Sequence, residues 1–164
     1  MCVICSQVLQ AQKTKKPDCV LAMDIPSRML VISSSEKEVV YRDRKTDAIM
    51  RLTKVGVADY GFNLEFTANQ VFEELSQDPT YTGAKLEKQE TPSLEFWTME
   101  WSLSETAPNR RNDFNAMVMM DVCGQYYNFS LSMPSKKRDL VLPMFDEILG
   151  SLDTESPRGH MGIR

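Results

Sequence analysis

The chain has 164 residues, 42% of them apolar, which suits one domain with a real core on the usual scale of about 100–200 residues per domain. With 19 Lys and Arg against 23 Asp and Glu the net charge is −4, which argues against a nucleic-acid binder working by bulk charge. No run approaches the roughly 18 apolar residues of a membrane span, and the single histidine, His160, sits in a polar terminal segment where no packed neighbours would hold a base or a metal ligand.

Residues 1–12 are mostly apolar and give way to Lys13, Lys15, Lys16 and Pro17. The pattern reads as the end of a secretory signal peptide cleaved around residues 10–12, with a start assigned too late to show its basic n-region. A short N-terminal strand or arm, in a cytoplasmic protein, is the alternative. Export would make the protein periplasmic or secreted and its compartment oxidising, which bears on the four cysteines. Cys2 and Cys5 have the spacing of half a zinc knuckle, but no second such pair exists, and they read as signal sequence. Cys19 and Cys123 remain as a possible disulfide, with two separate buried thiols as the plainer reading.

Short β-rich runs are expected at residues 20–25, 39–42 and 47–54, the first two separated by a turn region from Pro26 to Ser35. A further extended run is expected at 62–66. A helix then begins at Thr67, whose hydroxyl and the Gln70 side chain fit a capping box, with Ala68, Val71, Phe72 and Leu75 forming one apolar face that ends before Pro79. In residues 95–103, Trp97, Met99, Trp101 and Leu103 alternate with polar residues, so one side of that strand is core. Residues 114–122 are apolar on both faces, as in a strand covered above and below. Gly124 marks a turn into the alternating strand 127–133, and residues 139–152 read as a terminal helix with Pro143 in its first turn.

The division expected is therefore a signal remnant and basic linker at 1–18, one α+β domain at 19–152 and an unstructured polar tail at 153–164. The layout, the edge strand containing Met23, Asp24, Ile25 and Pro26, and the ending from Tyr126 through Pro134 to Leu152 resemble the PsbP-like and DcrB-like families of small exported proteins. The resemblance implies a twisted, mainly antiparallel sheet of six or seven strands packed by two main helices, a PsbP-like α/β/α sandwich. Relatives include photosystem extrinsic subunits, periplasmic proteins or lipoproteins, and chaperones for secreted effectors, so it implies no shared active site and no cofactor. The lipobox of DcrB-like lipoproteins is missing, since Ile4 precedes Cys5.

No glycine-rich phosphate loop, clustered metal ligands or nucleophile beside a base is visible, so the expectation is a non-enzymatic exported protein that binds another protein, as a monomer or weak dimer. A small-molecule or lipid carrier using the aromatic residues Trp97, Trp101, Tyr127 and Phe129 is the alternative, and it would need an apolar cavity. A chaperone for a secreted effector is another. Met117, Met119 and Met120 suggest soft copper ligands, but strand geometry splits them between two faces and core filling is the simpler reading. The basic clusters Arg110-Arg111 and Lys136 to Arg138 read as solvated turns, with phosphate or anionic lipid as their sharper reading. Loop tips on a rigid sheet make Tyr60, Phe62, Arg110 and Arg111 the candidate partner contacts.

Overall fold

A strand that is apolar on both faces needs cover above and below, and residues 114–122 have it. The computed structural model describes residues 20–57, 62–108 and 110–155. In chain order the elements are β1 (Val20–Ala22), β2 (Met29–Ser34), β3 (Glu38–Asp43), β4 (Ile49–Val57), α1 (Leu64–Gln77), β5 (Tyr81–Glu90), β6 (Glu95–Leu103), β7 (Phe114–Val122), β8 (Gln125–Met133), α2 (Arg138–Gly150) and β9 (Asp153–Glu155). Short 3-10 turns lie at Arg110–Asn112 and Ser135–Lys137.

Seven strands form one antiparallel sheet in the order β2-β3-β4-β8-β7-β6-β5. The chain lays down β2, β3 and β4 as a meander, crosses through α1 to the far edge, and returns through β5, β6 and β7 until β8 closes against β4. Because successive side chains alternate between faces, β6, β7 and β8 feed two cores. Met50, Phe96, Val118, Met120, Phe129 and Leu131 pack with Val141, Phe145 and Ile148 of α2, and the Phe129 and Phe145 rings stack with centroids 5.3 Å apart. Met99, Met119 and Tyr126 pack on the other face with Ala68, Val71, Phe72 and Leu75 of α1. The fold is the α+β sandwich with one helix on each side of the sheet. Each large side chain buried this completely contributes about 1.5–3 kcal/mol relative to exposure, so the sheet between the helices dominates stability.

Several local expectations are corrected. Residues 62–66 are the entry to α1 instead of a strand: the Asn63 side chain accepts the Phe66 backbone N–H at 2.9 Å, while the Thr67 hydroxyl donates back to the Asn63 carbonyl at 3.0 Å. The helix therefore starts before Thr67, capped by Asn63. Strand 95–103 has core on both sides, since Phe96 is as buried as Met99. The expected turn region at 26–35 contains β2, and β5 is a strand that no periodic run in the sequence marks. Asp47, at φ 64, belongs to the tight β3–β4 turn, so the third expected strand begins two residues later than read, at Ile49. The run 20–25 narrows to β1, which pairs outside the main sheet with β9, so ordered chain continues past residue 152.

Pro143 stands six residues into α2, beyond the first turn. Its ring faces solvent, so the Asp139 carbonyl that loses its helical donor is free to meet water. The β7–β8 connection has two residues, Cys123 at φ 54 and Gly124 at φ 83, the left-handed pair of a type I′ hairpin. The Asp121 carboxylate accepts the Gly124 N–H at 2.6 Å and braces the turn.

Candidate binding site

The antiparallel order brings the β3–β4 turn, the β6–β7 connection and the β8–α2 connection to one end of the sheet. There a cleft of about 540 Å³ opens between them, lined by Arg42, Asp47, Arg111, Asn112, Lys136 and Lys137 among others. Two basic clusters that are isolated in sequence thus meet in space.

Asp113 holds them together. Its carboxylate accepts the Ser135 backbone N–H at 2.6 Å and the Ser135 hydroxyl at 2.8 Å, and Arg110 reaches it at 3.6 Å. The Ser135 N–H above all, then its hydroxyl and the Arg110 charge, hold the Asp113 carboxyl below the ordinary carboxylate value against the opposing effect of burial. Arg138 is likewise committed to structure, pairing with Glu100 at 3.1 Å and lying 4.8 Å over the Phe114 ring. Among the described residues no carboxylate pairs with Arg111, Lys136 or Lys137.

The third wall is the β3–β4 turn. Buried Asp43 accepts from the Thr46 hydroxyl at 2.5 Å and the Lys45 N–H at 3.2 Å, and it pairs with Arg28 at 3.2 Å. Asp47 presents its carboxylate to Arg42, whose Nε and terminal nitrogen donate at 3.0 and 2.7 Å. Arg42 is thereby neutralised and oriented.

Of the four expected contact residues, Arg110 and Arg111 lie at this end, Arg110 engaged with Asp113 and Arg111 at the cleft. Phe62 lies at the opposite end, half-buried against Tyr126 with ring centroids 5.0 Å apart. The length of β7 separates the two places, roughly 26 Å at about 3.3 Å per residue. Tyr60 lies outside the described residues, as do Cys19 and His160. Lys136 and Lys137 were visible as a charge run, but nothing in the sequence tied them to Arg111.

The aromatic residues do not form one row. Trp97 and Trp101 pack on the α1 side, Tyr127 and Phe129 on the α2 side. The three methionines divide between the faces as strand geometry requires. Among the described residues no group of His, Cys, Asp and Glu is arranged to hold a metal ion, and no helix is long and apolar enough to cross a membrane. Cys123, at the other end of the sheet, is disulfide-bonded and is the single cysteine among the described residues.

No protein-family model matches the chain, and no curated protein matches it. Solved structures do share its fold. Cyanobacterial PsbP (CyanoP) from Synechocystis sp. PCC 6803 matches with a TM-score of 0.52 at 15% identity, covering 87% of this chain and 96% of the other. LpqN of Mycobacterium tuberculosis, described as involved in cell envelope biogenesis, matches with a TM-score of 0.53 at 11% identity over 87% of each chain. The Saccharomyces cerevisiae Ran-binding protein Mog1p matches with a TM-score of 0.52 at 8% identity, covering 83% of this chain and 94% of the other. The PsbP-like fold implied by the resemblance is the fold observed, and at these identities the likeness is one of fold.

Proposed function

We propose that this protein is a non-enzymatic, exported binding module that docks a protein partner through the cationic end of its sheet. The observation that carries the reading is the pinning of the Arg110–Asn112 turn to Ser135 by Asp113, which gathers separate cations on a rigid frame. A structural neighbour described as Ran-binding is consistent with this fold serving as a binding module. The carrier reading lacks support, because the aromatic side chains it would use are divided between two packed cores.

Export is supported by the disulfide at Cys123, which belongs in an oxidising compartment. On this reading residues 1–12 are a signal remnant, and Cys19 is the partner of Cys123. Val20 pairs with Glu155, the Thr154 N–H donates to the Ser93 hydroxyl at 3.3 Å, and Ser93 shares a surface cleft with Cys123. The described chain at Val20 is thereby linked, through Glu155, Thr154 and Ser93, to the neighbourhood of the β7–β8 turn. Fractionation of cells making the full chain tests both parts. Recovery from the envelope or medium with one protein cross-linked to it supports the proposal, and unfolding the recovered protein without reductant should expose neither Cys19 nor Cys123 to a thiol reagent. Retention in the cytoplasm with both thiols reactive overturns export, and the absence of any cross-linked protein overturns docking.

A further inference from the structure

We infer that the cleft between Arg42, Arg111, Lys136 and Lys137 is a receptor for an acidic peptide segment, an Asp- or Glu-rich stretch of the docked partner; this rests on the docking reading and names the chemistry of its ligand. Four cations and one carboxylate, Asp47, line the cleft, a local excess of three positive charges in a chain whose net charge is −4. Asp47 is already matched to Arg42 through two contacts to a single oxygen. The excess therefore resides in Arg111, Lys136 and Lys137, for which the described residues supply no carboxylate. A complementary ligand must bring its own negative charge.

The shape selects among anions. At about 540 Å³ the cleft is of the size that encloses a multi-atom ligand. Its cations come from three separate segments of chain, the β3 strand, the Arg110–Asn112 turn and the Ser135–Lys137 turn. Half-buried Ile49 and Pro134 line the same cleft and offer apolar footing for the stems of peptide side chains. Arg111 brings a planar fork that matches a carboxylate, and the two lysines act as adaptable point charges. The walls are fixed beforehand by the Asp113–Ser135 and Asp43–Thr46 contacts, so little ordering remains when a ligand arrives.

The test is a titration of the full chain with an octapeptide alternating Glu and Leu, beside its Gln-for-Glu counterpart, inorganic phosphate, and vesicles containing phosphatidylglycerol. The expected result is binding of the Glu peptide that weakens steeply with added salt, no binding of the Gln peptide, and a loss of at least tenfold in the triple variant Arg111→Glu, Lys136→Glu, Lys137→Glu. Lys136→Ala alone, a milder change at an exposed position, should lose severalfold, which keeps the test open if the triple variant does not fold. Arg44→Glu, in the same turn region but outside the cleft, should bind as the parent does. Equal binding of the Gln peptide, binding of phosphate or vesicles without the Glu peptide, or unchanged binding by a folded triple variant each overturns the inference. Cross-linking to the partner separates the two levels: a triple variant that still cross-links sinks the cleft and leaves docking standing, whereas a parent chain that cross-links nothing sinks docking itself.

Discussion

The Asp113 carboxylate takes both the backbone N–H and the hydroxyl of Ser135, residues 22 positions apart in the chain, at 2.6 and 2.8 Å. One side chain thereby joins the entry of β7 to the entry of α2 and fixes where the nearby cations stand. An aspartate in place of a neutral residue makes both hydrogen bonds charge-assisted.

Removing that carboxylate should loosen the end of the sheet without unmaking it. Asp113→Ala is expected to cost about 1–2 kcal/mol in urea denaturation, since hydrogen bonds to a charged group exceed neutral ones and this site is partly solvated. The pH dependence has a definite sign. A carboxyl whose folded value lies below its unfolded value of 3.8 contributes stability above that value and loses it as the pH falls further, through the folded value. The parent and Asp113→Ala should therefore differ at pH 6 and converge at the acid extreme; a difference that grows with acid would contradict the assignment.

Tyr126 gives a second titration. Burial pushes its phenol up to about 12, against a smaller opposing pull from Asn128, and burial also raises Tyr41 and Tyr127. Between pH 10 and about 12 the unfolded chain releases the Tyr126 proton before the folded one does, so stability must fall across that interval. Ultraviolet titration should show a late tyrosine ionisation at about 12, and Tyr126→Phe should remove that step. A single step near 10 in the folded protein would count against this packing.

Asp43 is wholly buried, and its carboxylate meets Arg28, the Thr46 hydroxyl and the Lys45 N–H. Asp43→Ala removes the acceptor of the Thr46 hydroxyl and the charge partner of Arg28, and should cost about 2–4 kcal/mol, less than a fully buried pair because Arg28 keeps Met144 Sδ, the Leu140 carbonyl and solvent. Thermal melts at pH 7 decide this, and a loss under about 1 kcal/mol would show that the turn needs no such anchor.

Pro143→Ala should stabilise. The alanine restores an N–H to the Asp139 carbonyl on the exposed side of α2, and a proline within a helix costs up to about 3 kcal/mol. Part of the gain is offset because alanine frees the unfolded chain, so an increase of about 1–2 kcal/mol is expected. A lower midpoint in denaturant would mean that the proline shapes the helix to fit the sheet.

How much was legible follows from how each segment meets solvent. Residues 95–103, 114–122 and 127–133 announced themselves because alternation or two-sided apolarity is what a strand between two helices requires. β5 was hidden because Lys85, Glu87, Lys88 and Glu90 leave it polar at an edge, where a strand has little to bury. β2 was hidden for the opposite reason, as Leu30, Val31 and Ile32 show no alternation. Phe62, Leu64 and Phe66 imitate a strand, and only the Asn63 bond to the Phe66 N–H reveals the helix start. Both basic clusters could be read from the sequence, but their meeting depends on a contact between Asp113 and Ser135, which no local pattern encodes.

The two margins of the sheet differ in a way that governs assembly. The β5 margin carries charge and a bulge at Gly83, at φ 65, devices that discourage a neighbouring strand. The β2 margin carries Leu30, Val31 and Ile32, each well exposed, and neither charge nor proline. Among the described residues, a bulge interrupts both margins, at Val31/Ser33 and at Thr82/Lys85, and charge guards only the β5 side, so strand addition is favoured at β2. Two copies that met there, antiparallel about a twofold axis, would leave their charged β5 margins facing outward, so pairing by this route closes at two chains instead of extending the sheet.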